Sequence, residues 1–542
     1  LSPLLPLILL LLGAVGLLFG LRPGFRYTGL IAIVFTLAAL IGLLVMGFRL
    51  PAHATLSNWG PAALLPLGLT LEVDRLAWLF GLSLLTVTLA TLLTGVARPG
   101  GRRIVVRGVI LLLAAVGLSA MFGGNLLTRI VAWAGLDLIF FLALILLAEG
   151  EGLEPQAVLN LAFNSTGTLL ALGAALLISR TSATLSLRDA VLTPQSTLLI
   201  TLAAIFRLGL FPLHLGLPTE FNVRQGLGVM LRLIPAAVAL EMVSRLVIFG
   251  FAEPVRPWLT LFGLVATLVG AAQLWNADDP KQGITYLVIS QSGLALLAGL
   301  WGGRWAVAAF TAQSLALILG GALVFLSHGH VDRRPWLTLL PISGVAAMLG
   351  APLTIGFLGV SGLFNGLARA GLWLILVGVG VILAQVILAA SLLLAVFWPG
   401  EEEDKEPLVR VAYTSGLAFP AAFLIVAGLL GGFISAALGA PDLGFLGFPS
   451  DMLSGLLALG LIGFTLAAGV GLWRFEAVAH STADTAWIAL ASLARLDGVY
   501  RSAWNVIHLV GRLILNLAEV LEGEGALLWT LVAALLAWLL LK

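Results

Sequence analysis

Apolar runs of 18 residues or more recur along the whole chain, and each is long enough to cross about 30 Å of hydrocarbon as a helix. Only a helix or a closed barrel satisfies its backbone hydrogen bonds inside lipid, so a chain made of such runs folds as a bundle of membrane helices. Composition agrees. Of 542 residues, 60% are hydrophobic and 10% charged, against roughly 25% charged in a soluble domain. A water-soluble enzyme is excluded. The first run, Pro3 to Leu21, has no basic segment before it and no small-residue cleavage site after it, so it reads as a retained helix rather than a signal peptide. The absence of cysteine removes disulfides, Cys-ligated zinc, iron–sulfur clusters and thiol nucleophiles. A net charge of +2 gives no reason to expect nucleic acid.

Turn and charge clusters divide the chain into sixteen spans, beginning near residues 3, 28, 76, 104, 125, 157, 196, 226, 257, 283, 304, 335, 370, 409, 450 and 525. Segments following odd-numbered spans carry 16 Lys or Arg, including Arg98, Arg102, Arg103 and Arg107, against 7 following even-numbered spans. The positive-inside rule then places the N-terminus outward, periplasmic in a bacterial-type inner membrane.

Two spans carry an interior proline beside glycine or other small residues: Leu208-Gly209-Leu210-Phe211-Pro212 in span seven and Gly350-Ala351-Pro352 in span twelve. Proline removes an amide donor and clashes with the preceding turn, so both helices are expected to break at Pro212 and Pro352. The breaks lie five spans apart. Units of five helices have opposite orientation, since five is odd, and inverted repeats with broken helices are a transporter architecture. Two incidental kinks would give the same spacing.

Ionisable residues inside membrane helices are costly and mark functional candidates. Asp137 falls in span five, Arg207 and His214 in span seven, and Arg232, Glu241 and Arg245 in span eight. The second unit has neutral polar residues instead, such as Gln291 and Gln313. Two readings fit. Asp137, Arg207, Glu241 and His214 could form a polar chain at mid-membrane, or the charges could be buried ion pairs that fix helix packing. Arginine holds its proton above pH 12 and can tune a carboxylate but not relay protons, whereas histidine exchanges near neutrality.

The segment Asp279-Pro280-Lys281-Gln282-Gly283-Ile284-Thr285-Tyr286-Leu287-Val288-Ile289-Ser290-Gln291-Ser292-Gly293 resembles a motif of the antiporter-like membrane subunits shared by respiratory complex I, membrane-bound hydrogenases and multi-subunit sodium/proton antiporters. Its matching positions are Asp279, Lys281, Tyr286, Ile289, Ser290, Gln291 and Gly293. A second match is Pro212-Leu213-His214-Leu215-Gly216-Leu217-Pro218, with Gly216 where the family has Trp. Weaker echoes are Asp74, Asn125-Leu126-Leu127-Thr128 with Trp133, and Gly350 to Phe357. Together these cover roughly residues 70 to 400. The resemblance implies an all-α polytopic fold with an antiporter-like core of about 14 helices, two inverted five-helix repeats, a C-terminal amphipathic helix and a final transmembrane helix.

The departures from the family are as informative as the matches. The resemblance implies a proton path with a Glu after the span-five Trp, a Lys in span seven, and Lys or His in spans eight, eleven and twelve. Here Ala134 follows Trp133, with Asp137 one turn from the Trp; Arg207 takes the span-seven position; and span eleven reads Thr311-Ala312-Gln313. Only three of the 28 basic residues are lysine, Lys281, Lys405 and Lys542, and none is central in a span. The lysine relay is therefore expected to be largely lost.

The expected organisation is transmembrane helices 1–3 (residues 1–103), a first five-helix repeat (104–249), an inverted repeat (257–398), helices 14–15 (399–473), an amphipathic lateral or interfacial helix (474–524) and a final span (525–542). The lateral helix carries a polar stripe, Asp497, Arg501, Asn505, His508, Arg512, Asn516 and Glu519. Glu401-Glu402-Glu403-Asp404 reads as a solvated loop or a docking patch, and His328-Gly329-His330 with Asp332 as a loop end rather than a metal site. No cofactor, metal, redox or hydrolytic motif is recognisable. The expected role is a membrane-arm subunit of a complex-I-like or antiporter-like assembly, structural or coupling in nature. The alternative is an active proton-coupled transporter subunit using Asp137, His214 and Glu241, including the membrane subunit of an inorganic-carbon uptake complex. Partners would be other membrane subunits, the bilayer and a soluble catalytic protein.

Overall fold

In the computed structural model the described residues run from 2 to 476 with short gaps, and beyond them only Asn505, Leu509, Arg512 and Thr530, all helical, are described. The chain divides into two units, Leu1–Asp484 and Thr485–Lys542. The lateral helix, the sixteenth span, Pro212, Asp279, residues 401–404, His330 and Asp332 lie essentially outside the described residues, as does the side chain of Lys281.

The first unit is a helical bundle. Its α-helices are α1 Leu4–Val15, α2 Thr28–Met46, α3 Arg75–Thr94, α4 Arg103–Met121, α5 Leu126–Leu147, α6 Leu153–Thr181, α7 Pro194–Leu208, α8 Gln225–Phe249, α9 Arg256–Trp275, α10 Pro280–Trp301, α11 Ala306–Ser327, α12 Leu339–Met348, α13 Ile355–Ala368, α14 Trp373–Val396, α15 Pro407–Leu429, α16 Gly431–Ala437 and α17 Met452–Arg474. Among the described residues, twelve helices are long and apolar enough to cross a membrane. Fifteen of the sixteen expected spans correspond to these helices, counting α12 and α13 as the halves of span twelve.

Polar residues at the span ends start several helices. Asp74 caps α3 by accepting the Ala77 amide at 2.9 Å, and Asn125 caps α5 by accepting the Thr128 amide at 2.8 Å. Thr193 and Ser196 form a reciprocal capping box around Pro194, the first residue of α7.

Both helices expected to break do so. α7 stops at Leu208, where Gly209 turns left-handed at φ 58°, and the chain resumes as a 3-10 turn over Leu213–Gly216. Span twelve is interrupted between Met348 and Ile355. Gly350 there has φ 77°, and a Cβ on it would lie 2.6 Å from Val360 Cβ, so both backbone and packing require glycine. Leu353 in the same interruption has φ 66°, a conformation that a branched side chain tolerates poorly.

The centre of the bundle is set by apolar content on every face. The spanning windows of α8 and α11 are wholly buried, and those of α10 and α3 nearly so, whereas α2, α5, α6 and α17 keep apolar faces turned outward. A helix hydrophobic all round belongs inside, and α8 is the innermost carrier of charge. The all-α expectation needs one addition. Strands β1 Ala52–Ser57 and β2 Leu69–Val73 form an antiparallel hairpin with Ala54 opposite Leu71 and His53 opposite Glu72. The Glu72 amide donates to the Phe122 carbonyl at 2.7 Å and the Gly124 amide to the Thr70 carbonyl at 2.8 Å, fixing the hairpin to the turn between α4 and α5.

Candidate functional site

Among the described residues, three groups built around buried or partly buried charged side chains stand out in the first half of the bundle. In the first, Asp137 on α5 faces Arg207 in the last turn of α7. The two arginine Nη atoms donate to the two carboxylate oxygens at 2.7 and 2.9 Å, a fork-to-fork pair with both side chains almost wholly buried. The Thr168 hydroxyl on α6 donates to Asp137 Oδ2 at 3.1 Å and accepts from Arg207 Nη2 at 3.2 Å. One turn before Asp137, the Trp133 ring lies 4.6 Å from Arg207 Cζ, so the guanidinium is held by an anion on its donor edge and a π face beside it. Arg207 Nε and Trp133 Nε1 have no hydrogen-bond partner among the described residues.

The second group centres on Arg232 of α8. Its Nε donates to Thr285 Oγ1 of α10 at 2.8 Å, and Nη1 to its own helix at the Gly228 carbonyl, 3.3 Å away. A cavity of about 20 Å³ lies between the first and second groups, lined by Asn160, Asn164, Arg207, Arg232 and Thr285. That volume holds about one water.

The third group is a chain of four charges. Arg129 of α5 donates through both Nη atoms to Glu241 of α8, with Nη2 at 3.2 Å from Oε1. Arg245, one turn after Glu241, donates through Nε to Oε1 at 2.6 Å and through its Nη atoms to Asp74 at 2.7 and 3.1 Å. The remaining donors of Arg129 reach the carbonyls of Gly123 and Met121 at 2.9 and 3.1 Å, which end α4 and its turn. Two carboxylates meet two guanidiniums, so the chain is neutral when fully charged. It runs from a wholly buried Glu241 to a partly exposed Asp74. Burial raises the Asp74 pKa, but the Arg245 charge and its hydrogen bonds, with the Ala77 amide, outweigh it and hold the carboxyl below the ordinary value of 3.8.

The expected sites are thus brought together in part. Asp137 pairs with Arg207, and Glu241 pairs with Arg245. Among the described residues no contact joins Asp137 to Glu241: their networks meet α5 at Asp137 and Arg129, eight residues or about 12 Å apart along the helix. His214 sits in the 3-10 turn after the broken end of α7, its ring stacked on Phe211 with centroids 5.3 Å apart. Sequence reasoning missed Arg129. Its signal was available, since it is a charged residue in the first turns of an apolar span.

In the second half, the polar side chains described at the centres of α10 and α11 are neutral. Gln313 of α11 donates to Gln291 Oε1 of α10 at 2.5 Å and to the Met348 carbonyl at 3.1 Å, the latter belonging to the last residue of α12 before its break. Gln313 therefore caps the end of an interrupted helix. Ser290 and Gly293 of the matched motif serve packing. The Ser290 hydroxyl donates to the Thr267 carbonyl of α9 at 2.9 Å, and a Cβ on Gly293 would lie 2.6 Å from the Gly263 carbonyl oxygen.

No family model matches the chain. NADH-quinone oxidoreductase subunit N of Acidithiobacillus ferrooxidans is 27% identical over 314 residues, covering 50% of this chain, and the chain spans only 63% of that protein's length. NADH-quinone oxidoreductase subunit 14 of Thermus thermophilus is 29% identical over 424 residues, 73% of this chain and 93% of that one. Among solved structures, a chain of the Mrp complex from a Dietzia species superposes with a TM-score of 0.78 at 19% identity, covering 99% of this chain and 62% of that one. At that identity the structural likeness speaks for the fold, and the sequence relatives point the same way. In sequence the chain is similar to the membrane subunits N and 14 of NADH-quinone oxidoreductases, and in fold to a chain of the Mrp complex, which is the antiporter-like resemblance that its motifs carry.

Proposed function

We propose that this chain is a membrane-arm subunit of an ion-translocating assembly whose lysine relay is largely lost, and that its main task is structural or coupling. The observation that carries this reading is the two-point Asp137–Arg207 pair. A relay needs groups that can both hold and release a proton, and arginine does not release its own. Both donor atoms that face Asp137 are committed to it, so the pair behaves as a fixed dipole that can tune a field but not pass a proton. The Glu241 carboxylate is equally committed, held between Arg129 and Arg245.

The two broken helices, five spans apart, support an inverted pair of five-helix repeats at 104–249 and 257–398. The basic residues support an outward N-terminus in a bacterial-type inner membrane. Neighbouring membrane subunits are the partners this role requires, and the stretch from 474 to 524 is the element suited to reach them. A soluble catalytic partner belongs to the same reading.

Reconstitution tests it. The purified chain in liposomes is expected to give no proton or sodium flux above protein-free vesicles, and to accumulate poorly when expressed without its partners. Flux by the chain alone that Asp137→Asn abolishes would overturn the structural reading in favour of an active transporter built on Asp137, His214 and Glu241.

A further inference from the structure

A cavity of about 500 Å³ opens beside the Asp74–Arg245 pair, where α3 begins, α8 ends and α11 begins. Its walls are mostly apolar: Leu50, Leu76, Ile248, Phe249 and Leu438 line it, with Arg75 and Arg245 as its cations. These residues stand at the ends of membrane helices, the level at which hydrocarbon gives way to headgroups. The two arginines differ. Arg245 is neutralised by Asp74 on one side and Glu241 on the other. Arg75 is exposed and donates Nη1 to the Ala437 carbonyl at 2.9 Å, and it forms no ion pair among the described residues. A guanidinium has five N–H donors, so Arg75 keeps a positive charge and spare donors at the mouth of an apolar cavity.

That combination suits one class of ligand. A free inorganic anion would leave the apolar walls unfilled, and a hydrocarbon would leave the Arg75 charge unanswered. We propose that the cavity holds an anionic phospholipid, its phosphate against Arg75 and an acyl chain along Leu76, Ile248, Phe249 and Leu438. Basic pockets between membrane helices recognise lipid headgroups in this way, and arginine forks onto phosphate oxygens. The bound lipid would seal the gap between the start of α3 and the short α16 that the Arg75–Ala437 hydrogen bond now spans. The assignment is independent of whether the chain conducts ions.

The full-length chain, purified in neutral detergent, is titrated with phosphatidylglycerol, phosphatidylcholine or inorganic phosphate, with lipid retention followed by native mass spectrometry and the unfolding temperature alongside. Phosphatidylglycerol is expected to bind about tenfold more tightly than phosphatidylcholine, and phosphate alone to leave the unfolding temperature unchanged; one lost charge-assisted contact corresponds to about that factor. Arg75→Gln should abolish the preference between the lipids, Arg75→Lys should keep part of it, and Leu438→Trp, which fills the cavity, should weaken both lipids. Because the preference is a ratio within each protein, a general loss of stability does not imitate the effect. Equal binding of the two lipids by the unsubstituted chain, an undiminished preference in Arg75→Gln, unchanged binding by Leu438→Trp, or equal protection by phosphate alone would each overturn the proposal.

Discussion

Asp137 and Arg207 lie 70 residues apart in sequence and meet through two hydrogen bonds of 2.7 and 2.9 Å, with neither side chain more than 4% exposed. Each charge is tolerated in the bundle because the other is there. Removing one partner leaves the other buried and uncompensated, a cost of about 3–5 kcal/mol. Asp137→Asn and Arg207→Gln are each expected to destabilise the protein by that order, and the double variant by clearly less than the sum. A double-mutant cycle on detergent unfolding checks this, and additive losses would mean that the pair contributes no coupling. Arg207→Lys keeps the charge but loses the fork and weakens the contact with the Trp133 face, so it should fall between the wild type and Arg207→Gln.

Glu241 takes donors from two guanidiniums, Arg129 and Arg245, with no exposed surface of its own. Glu241→Gln leaves two guanidiniums facing one neutral amide, and its expected cost is about 3–5 kcal/mol. Asp74→Asn touches the same chain at its partly exposed end, where water can share the load, and should cost less. Unfolding temperatures of the two variants decide the order. An Asp74 variant that is the more damaged of the two would move the weight of the network to the hairpin end.

Asp74 also predicts a pH response. Its carboxyl is held below the ordinary value of 3.8 by Arg245 and the Ala77 amide, against the effect of burial. A group whose folded pKa is lowered contributes stability that is present above the unfolded pKa and lost as pH falls through the folded one. The unfolding temperature is therefore expected to be insensitive to Asp74 near neutrality and to fall below about pH 4. In Asp74→Asn that part of the acid loss should be missing, which parallel pH series on the two proteins measure.

Much of this architecture was legible in the sequence because lipid leaves so few choices. Span positions follow from apolar length, and the break of α7 from Gly209 ahead of Pro212, since both act locally on the backbone. The pairing of Asp137 with Arg207 was likewise open to reading as two opposite charges on apolar spans five and seven, with one span between them. What eluded the sequence was long-range or small. The hairpin has an alternating second strand, Leu69-Thr70-Leu71-Glu72-Val73, but its pairing depends on a chain segment twelve or more residues away and on the turn before α5. The pairing of Arg129 with Glu241 joins residues 112 positions apart on α5 and α8, and no local pattern encodes which level of α5 meets Glu241.

The interruption between α12 and α13 rests on Gly350 in a way that a single methyl group can probe. At φ 77° an L side chain is strained, and its Cβ would also press on Val360 Cβ at 2.6 Å in a core that cannot open without moving α13. Gly350→Ala should therefore cost about 1–3 kcal/mol from the backbone alone, with the contact adding to it. Gly460 of α17 supplies the comparison, because nothing lies within 4 Å of a Cβ placed there. Gly460→Ala should be neutral or stabilising, by up to about 1 kcal/mol, through the gain in helix propensity. If Gly350→Ala unfolded at the wild-type temperature, the left-handed turn would not be a requirement of the fold, and the break in span twelve would have to be held by Pro352 and the Gln313 hydrogen bond to Met348 instead.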